Sequence, residues 1–394
     1  MSTSTLRGFA IGLLVGALIG IYAGTRADNV EPIGDLLGAG QSLPDEALDV
    51  IEANYFKNPD ETKLGEGSVN AMIDELRKQY DDRFSHYFNP RQLTRFNQAT
   101  SGRFSGIGLS VLEVKRGLRV ATVFPDTPAQ EAGIREGDVI VSVDGRKISG
   151  EPAEAATARI KGPPGTEVEL RIIDADTGKV RTLEIERAEV RVPAVRGNLR
   201  DVDGTTVGYV QLAGFSEGAH DELRDEIERL IERGAQGIAL DLRGNGGGLL
   251  DEAVLVSSVF VEDGVIVSTD GRAQPQQDYE AVGGAIDPPP MVVMIDENTA
   301  SAAEILAAAL SEYDMAKLVG TKTFGKGTFQ EVIELDEGGA LSLTVGEYLT
   351  ASGESLAGDG IEPDVRARDL RSTDGDEGLR RGLKVLASEL PASQ

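Results

Sequence analysis

Ser301, Lys326 and Gln330 are residues able to do chemistry, and the chain sets each in a telling context. Ser301 follows the apolar run Met291-Val292-Val293-Met294-Ile295, which reads as a buried strand, and a small-residue turn, Asn298-Thr299-Ala300. After it come Glu304-Ile305-Leu306-Ala307-Ala308-Ala309-Leu310, whose alanines and leucines favour helix. A serine where strand hands over to helix exposes its hydroxyl and aims backbone N–H groups at a reacting oxygen. Lys326 stands between Gly325 and Gly327, with Gln330 four residues on. An alcohol and an amine in these settings suit the nucleophile and base of acyl transfer.

Plainer readings of the same residues stay open at this level. Ser301-Ala302-Ala303-Glu304 also fits the capping box S-x-x-E, and a lysine between glycines also suits a solvated turn. Gly320 to Lys326 spells G-x-x-x-x-G-K, but Gly327 stands where a phosphate loop needs Ser or Thr for Mg²⁺. The following Thr328-Phe329-Gln330-Glu331-Val332-Ile333 alternates like a strand rather than opening a helix. A Ser-His-Asp triad would have to use His86 or His220, and neither has a glycine-rich or strand-end context. With no cysteine there is no disulfide, thiol nucleophile or thiolate metal site.

The 394 residues are enough for two or three domains, and 66 acidic against 39 basic residues give a formal charge of −27. That charge argues against nucleic acid and anionic membrane surfaces as partners. At the N-terminus, Gly8 to Gly24 is apolar and uncharged, preceded by Arg7 and followed by Arg26, Asp28 and Glu31. It reads as a signal or, for want of a good cleavage site, as an uncleaved anchor that places the body in the periplasm or another extracytoplasmic space. Asp45 to Phe96 reads as helical, with Ala47, Leu48, Ile51 and Tyr55 on one face and Val69, Met72, Ile73, Leu76 and Tyr80 on another. Asp221 to Glu232 is an amphipathic helix, and Gly237-Ile238-Ala239-Leu240-Asp241-Leu242 is a buried strand running into Gly244-Asn245-Gly246-Gly247-Gly248. That glycine loop does not satisfy G-x-G-x-x-G, so a dinucleotide site is not indicated.

Several runs together carry a resemblance. They are Tyr80-Asp81-Asp82-Arg83-Phe84-Ser85-His86-Tyr87-Phe88, Phe104-Ser105-Gly106-Ile107-Gly108-Leu109, and Ala132-Gly133-Ile134-Arg135-Glu136-Gly137-Asp138 through Asp144-Gly145. To these are added Asp241-Leu242-Arg243-Gly244-Asn245-Gly246-Gly247-Gly248, Thr299 to Glu304, Phe324 to Gly327 with Gln330, and Gly360-Ile361-Glu362-Pro363-Asp364. The chain from about Pro44 to Pro363 resembles the C-terminal processing peptidases, serine proteases with a Ser-Lys dyad and a PDZ domain inserted ahead of the catalytic core.

The resemblance implies an α/β (α+β) multidomain protein with a crotonase/ClpP-like ββα core. It divides the chain into an anchor or signal (1–28), a helical arm (29–98), a PDZ domain (99–190), the protease core (191–365) and a C-terminal tail or helix (366–394). It makes Ser301, Lys326 and Gln330 catalytic, and it puts the oxyanion hole on the N–H groups of Gly247 and Ala302. The family's Asn-Pro-Gly-Gly is here Asn245-Gly246-Gly247-Gly248, which shifts the first donor's identity by up to one residue. Gly106, Ile107, Gly108 and Leu109 become the PDZ contacts to a peptide's C-terminal carboxylate. The family's arginine at the PDZ–protease junction is here Lys161, which keeps the charge but lacks the bidentate fork.

On this reading, substrates are proteins with accessible C-terminal tails, the molecule self-associates, an adaptor activates it, and neither cofactor nor metal is needed. Burial among apolar atoms such as Phe324, with no carboxylate nearby, is expected to keep Lys326 neutral, while Gln330 orients its amine and Asp241 and Arg243 brace their loop. The rival reading is a membrane-anchored PDZ scaffold on an inactive protease-like core.

Overall fold

The computed structural model describes residues 42–273, 275–336, 338–368 and 376–390. The N-terminal apolar stretch therefore lies outside the described residues, and among the described ones no helix is long and apolar enough to cross a membrane. The chain divides into two compact units, residues 1–75 and 76–394.

In the first unit, helix Leu43–Asn54 begins with a proline in its first turn, where no N–H partner is lost, and with Asp45 and Glu46 against the positive end of the helix dipole. Its apolar positions Leu43, Val50 and Ile51, with Tyr55 and Phe56 beyond it, remain exposed. A second helix, Glu61–Tyr80, starts here and ends in the other unit.

The helical reading of residues 45–96 is interrupted at residues 55–60, between the two helices, and fails again after Tyr80. His86–Phe88 is a strand, with His86 paired to Ser342 and Phe88 to Ala340 of strand Ala340–Thr350. Three alternately placed aromatic and imidazole rings suit a sheet edge, and the long-range ladder overrides the local helical pattern. Helix then resumes over Pro90–Ser101 through a capping box between Asn89 and Gln92.

Residues 103–191 form a small sheet-and-helix body. Strands Leu109–Val114, Gly117–Val123, Val139–Val143, Glu167–Ile173 and Val180–Glu186 pair in that order, with the short strand Arg146–Lys147 pairing off this path with Val139–Val143. Leu109–Val114 is an edge strand, and the core holds Ile107, Leu118, Ile140, Leu170 and Ile172. The entering strand Arg103–Gly106 and the leaving strand Ala188–Arg191 form their own antiparallel ladder, which clamps both ends of the insertion together.

The larger core is built on a six-stranded sheet, in order Val195–Val202, Thr205–Leu212, Ile238–Asp241, Met291–Ile295, Ala316–Gly320, Val365–Arg366. All of it is parallel except the first pair. Met291–Ile295 is buried at every residue because both faces are covered. Val293 and Ile295 share a core with helices Ala219–Glu232, Leu250–Ser258 and Ala302–Glu312, while Val292 packs towards Leu383 and Leu386 of helix Glu377–Glu389. A five-stranded sheet carrying Ala340–Thr350, Thr328–Glu334 and Val265–Asp270 completes the body.

The glycines around Lys326 are there because another chain segment lies on the backbone. A Cβ at Gly327 would sit 1.9 Å from the Ala357 nitrogen and 2.1 Å from the Leu356 carbonyl carbon. Gly327→Ala is expected to lower stability by about 1–3 kcal/mol, as overpacking does. Gly65→Ala, in a helix with nothing within 4 Å of the added methyl, is expected to raise it by about 0.5–1 kcal/mol. Urea unfolding of the two variants checks both signs.

Candidate active site

Ser301 stands at the junction of strand Met291–Ile295 and helix Ala302–Glu312 with φ 56° and ψ −122°, backbone angles that a non-glycine residue rarely adopts. Neighbouring loops hold it there. Thr299 is fully buried, and its Oγ1 donates to the Leu242 carbonyl (2.9 Å) and accepts from Asp296 N (2.9 Å). Ala300 N donates to the Asn245 carbonyl (3.0 Å), and Phe324 N donates to the Thr299 carbonyl (3.0 Å).

Glu304 joins the serine turn to the lysine loop. Its side chain is fully buried, and four donors converge on it. Oε2 accepts from Ser301 N (2.8 Å) and Lys326 N (2.9 Å); Oε1 accepts from Gly325 N (2.7 Å) and the Thr323 hydroxyl (2.5 Å). The backbones of Ser301 and Lys326 thus meet on one oxygen atom. The capping box seen in the sequence and the candidate chemistry coincide here, since the residue that caps the helix also gathers the site. The Ser301 hydroxyl and the Lys326 amine are not hydrogen-bonded to each other in this structure.

Burial pushes the Lys326 amine below its ordinary range, against the opposing pull of the Glu304 charge. Two details of the sequence expectation need correction. Phe324 is itself 56% exposed, and the ring against Lys326 belongs to Phe84, with Nζ 5.1 Å from its centroid. A carboxylate also stands near the lysine, namely Glu304. The sequence signal for Phe84 was the aromatic run Phe84 to Phe88, which entered there only as part of the family resemblance.

Gln330 Nε2 donates to the hydroxyls of Thr344 (3.1 Å) and Thr328 (3.3 Å). No bond joins Gln330 to Lys326. Around Gly247 the backbone comes very close to the serine turn: a Cβ there would lie 2.9 Å from both Ala302 N and Ser301 Cβ. The Gly247 N–H, however, donates to Asn245 Oδ1 (2.9 Å), and the buried Asn245 amide donates to the Leu212 carbonyl (2.8 Å). Of the two expected oxyanion donors, Ala302 N–H meets no acceptor among the described residues, whereas that of Gly247 is engaged by its own loop.

The histidines are occupied elsewhere. His220 Nδ1 bonds Glu252 (2.9 Å), and His86 Nδ1 bonds the Phe84 carbonyl (2.7 Å). Arg243 braces its loop through Asp241 (2.7 Å) and Asp376 (2.8 Å). Asp241, Arg243 and Asp376, with Tyr209 and Asp296, line a cavity of about 690 Å³ that reaches neither Ser301 nor Lys326. A second groove of about 330 Å³ runs along the edge strand beside helix Ala153–Ile160. Gly106, Ile107, Gly108 and Leu109 line it together with Phe124 and Ile160. Lys161 lies at the same groove, its Nζ 5.1 Å from the Phe104 ring centroid.

Residues 206–367 match peptidase family S41, and residues 119–174 match a PDZ domain. The carboxy-terminal processing protease CtpA of Bacillus subtilis is 36% identical over 322 residues, covering 82% of this chain and 67% of that protein. The carboxyl-terminal-processing protease of a Synechocystis strain is 34% identical over 370 residues, covering 90% of this chain and 86% of that protein. The chain belongs to the C-terminal processing proteases of family S41. Among solved structures, the photosystem II D1 C-terminal processing protease matches with a TM-score of 0.50 and 28% identity, over 87% of this chain and 97% of that one. A putative S41 protease from Bacteroides fragilis shares the fold at a TM-score of 0.52 and 19% identity, over 90% of this chain and 100% of that one. As a C-terminal processing protease, the chain is a serine peptidase carrying a PDZ domain within a mixed α/β architecture.

Glu304→Gln puts an NH₂ group where only acceptors fit. It is expected to cost about 1–3 kcal/mol through unsatisfied buried donors, read as a lower urea midpoint with an unchanged slope.

Proposed function

We propose that this protease cleaves protein substrates delivered by their C-terminal tails, using Ser301 as nucleophile and Lys326 as general base. The observation that carries the reading is the shared Glu304 oxygen, which draws the Ser301 and Lys326 backbones to one point beside a desolvated amine. Ser301 Oγ attacks the peptide carbonyl while its proton passes to Lys326 Nζ. The resulting oxyanion is held by the Ala302 N–H and, once it exchanges its Asn245 bond for the substrate oxygen, by the Gly247 N–H. Lys326 then gives the proton to the departing amine, and water hydrolyses the acyl-enzyme by the same route. Gln330, fixed through its nitrogen by Thr328 and Thr344, keeps its carbonyl oxygen for the lysine amine.

The edge strand Leu109–Val114 and the apolar groove beside it suit addition of a substrate tail as an extra strand, with Gly106 to Leu109 at the carboxylate. The exposed apolar residues of helix Leu43–Asn54 favour self-association. An activating adaptor, an extracytoplasmic location and the N-terminal segment as an anchor complete the proposal. An inactive scaffold would have no use for an amine kept out of water beside a strained serine.

Ser301→Ala and Lys326→Ala are each expected to reduce breakdown of a loosely folded protein by roughly a thousandfold or more, with thermal unfolding unchanged. Activity should be lost as pH falls through the lowered lysine value, because the ammonium cannot accept the serine proton. The acid limb of kcat/KM is expected below about pH 10.4, the free lysine reference. Full activity in either variant, or a limb at the reference value, would contradict the dyad.

A further inference from the structure

The turn Asp82–Ser85 is built into this site, although it lies more than two hundred residues from Ser301 in the sequence. Asp82 Oδ1 accepts from Phe84 N (3.0 Å) and Ser85 N (3.1 Å), closing the turn, and from the Thr344 hydroxyl (3.0 Å), docking it on strand Ala340–Thr350. Thr344 N returns a bond to the buried Ser85 hydroxyl (2.9 Å). Arg77 adds a bond to the Ser85 carbonyl (3.0 Å). The same Thr344 hydroxyl accepts from Gln330 Nε2, so one oxygen links the turn to the candidate amine-orienting residue. The result is that the Phe84 ring lies against Lys326 Nζ, with the exposed Phe324 ring edge-on at 6.5 Å.

We infer that Phe84 is a positioning residue of this protease: its ring is the apolar floor that fixes the Lys326 amine and keeps water from it. The inference rests on the Ser301–Lys326 reading. Two effects of the ring oppose each other, since an aromatic face attracts an ammonium while the loss of hydration disfavours it. Burial is the larger influence on Lys326, ahead of the Glu304 charge, and the Phe84 ring is the aromatic face against Nζ. The groups that face this arrangement are few. Glu304, from the serine helix, pulls the amine towards its charged form. Asp82 turns its carboxylate to its own turn and to Thr344, and the His86 ring bonds the Phe84 carbonyl. Burial raises Asp82, but the bonds from Ser85, Phe84 and Thr344 outweigh it and hold its carboxyl below the usual range. The turn therefore stays docked through neutral and alkaline pH.

The test is the pH dependence of kcat/KM for wild type, Phe84→Ala and Phe84→Tyr on a loosely folded protein, with Lys326→Ala in parallel. Phe84→Ala is expected to move the acid limb upward by about one unit, which is about a tenfold loss at pH 7 that alkaline pH restores. Phe84→Tyr, which keeps the ring, should retain the wild-type limb. Should Phe84→Ala prove unfolded by thermal melting, Phe84→Gln, similar in length but readily hydrated, takes its place with the same expectation. A uniform loss at every pH with an unmoved limb, or an unchanged profile, overturns the role given to Phe84 and leaves the dyad standing. Activity retained by Lys326→Ala overturns the dyad reading itself.

Discussion

The candidate active site depends on one buried carboxylate. Glu304 is enclosed on all sides and would be costly to bury unpaired, yet four donors from two chain segments, the serine turn and residues 323–326, end on its two oxygens. Each hydrogen bond to a charged group is worth about 1.5–3 kcal/mol, so the four together offset the loss of hydration only if all form. That is what gives the arrangement its geometric force. The serine turn cannot drift from the lysine loop without stripping a buried charge of partners.

The same carboxylate bears on the lysine electrostatically. It favours the ammonium, while burial favours the free amine and prevails. The negative charge is spent on backbone N–H groups and a hydroxyl, which limits how strongly it holds a proton on Nζ. Because φ is positive at Ser301, the serine turn is itself strained. The Thr299, Ala300 and Phe324 contacts and the helix behind it supply the restraint that keeps it so.

Much of this was legible in the sequence, for identifiable reasons. The run Met291–Ile295 announced a strand covered on both faces, and the alanine-rich stretch after Ser301 announced a helix, because composition and periodicity are local. The glycines beside Lys326 suited a solvated turn equally well, and nothing in the sequence said that residues 356 and 357 lie on their backbone. What it did not reveal was tertiary. Glu304 looked like an ordinary capping residue, since nothing local shows that it is buried or that residues 323–326 return to it. Phe84 stood out only as one member of an aromatic run because its partner lies 242 residues away. The strand at His86–Phe88 was hidden for the same reason, its ladder being formed with residues 340–342.

The most direct test of the central claim is a crystal structure of the protease with a peptide boronate bound covalently in the site. A dyad assembled around Glu304 predicts a bond from Ser301 Oγ to boron and Lys326 Nζ within about 2.6–3.2 Å of that oxygen, with Oε2 still accepting from both backbones. Boron attached to Ser301 while Lys326 lies beyond reach, or a Glu304 carboxylate released from the two amides, would contradict it.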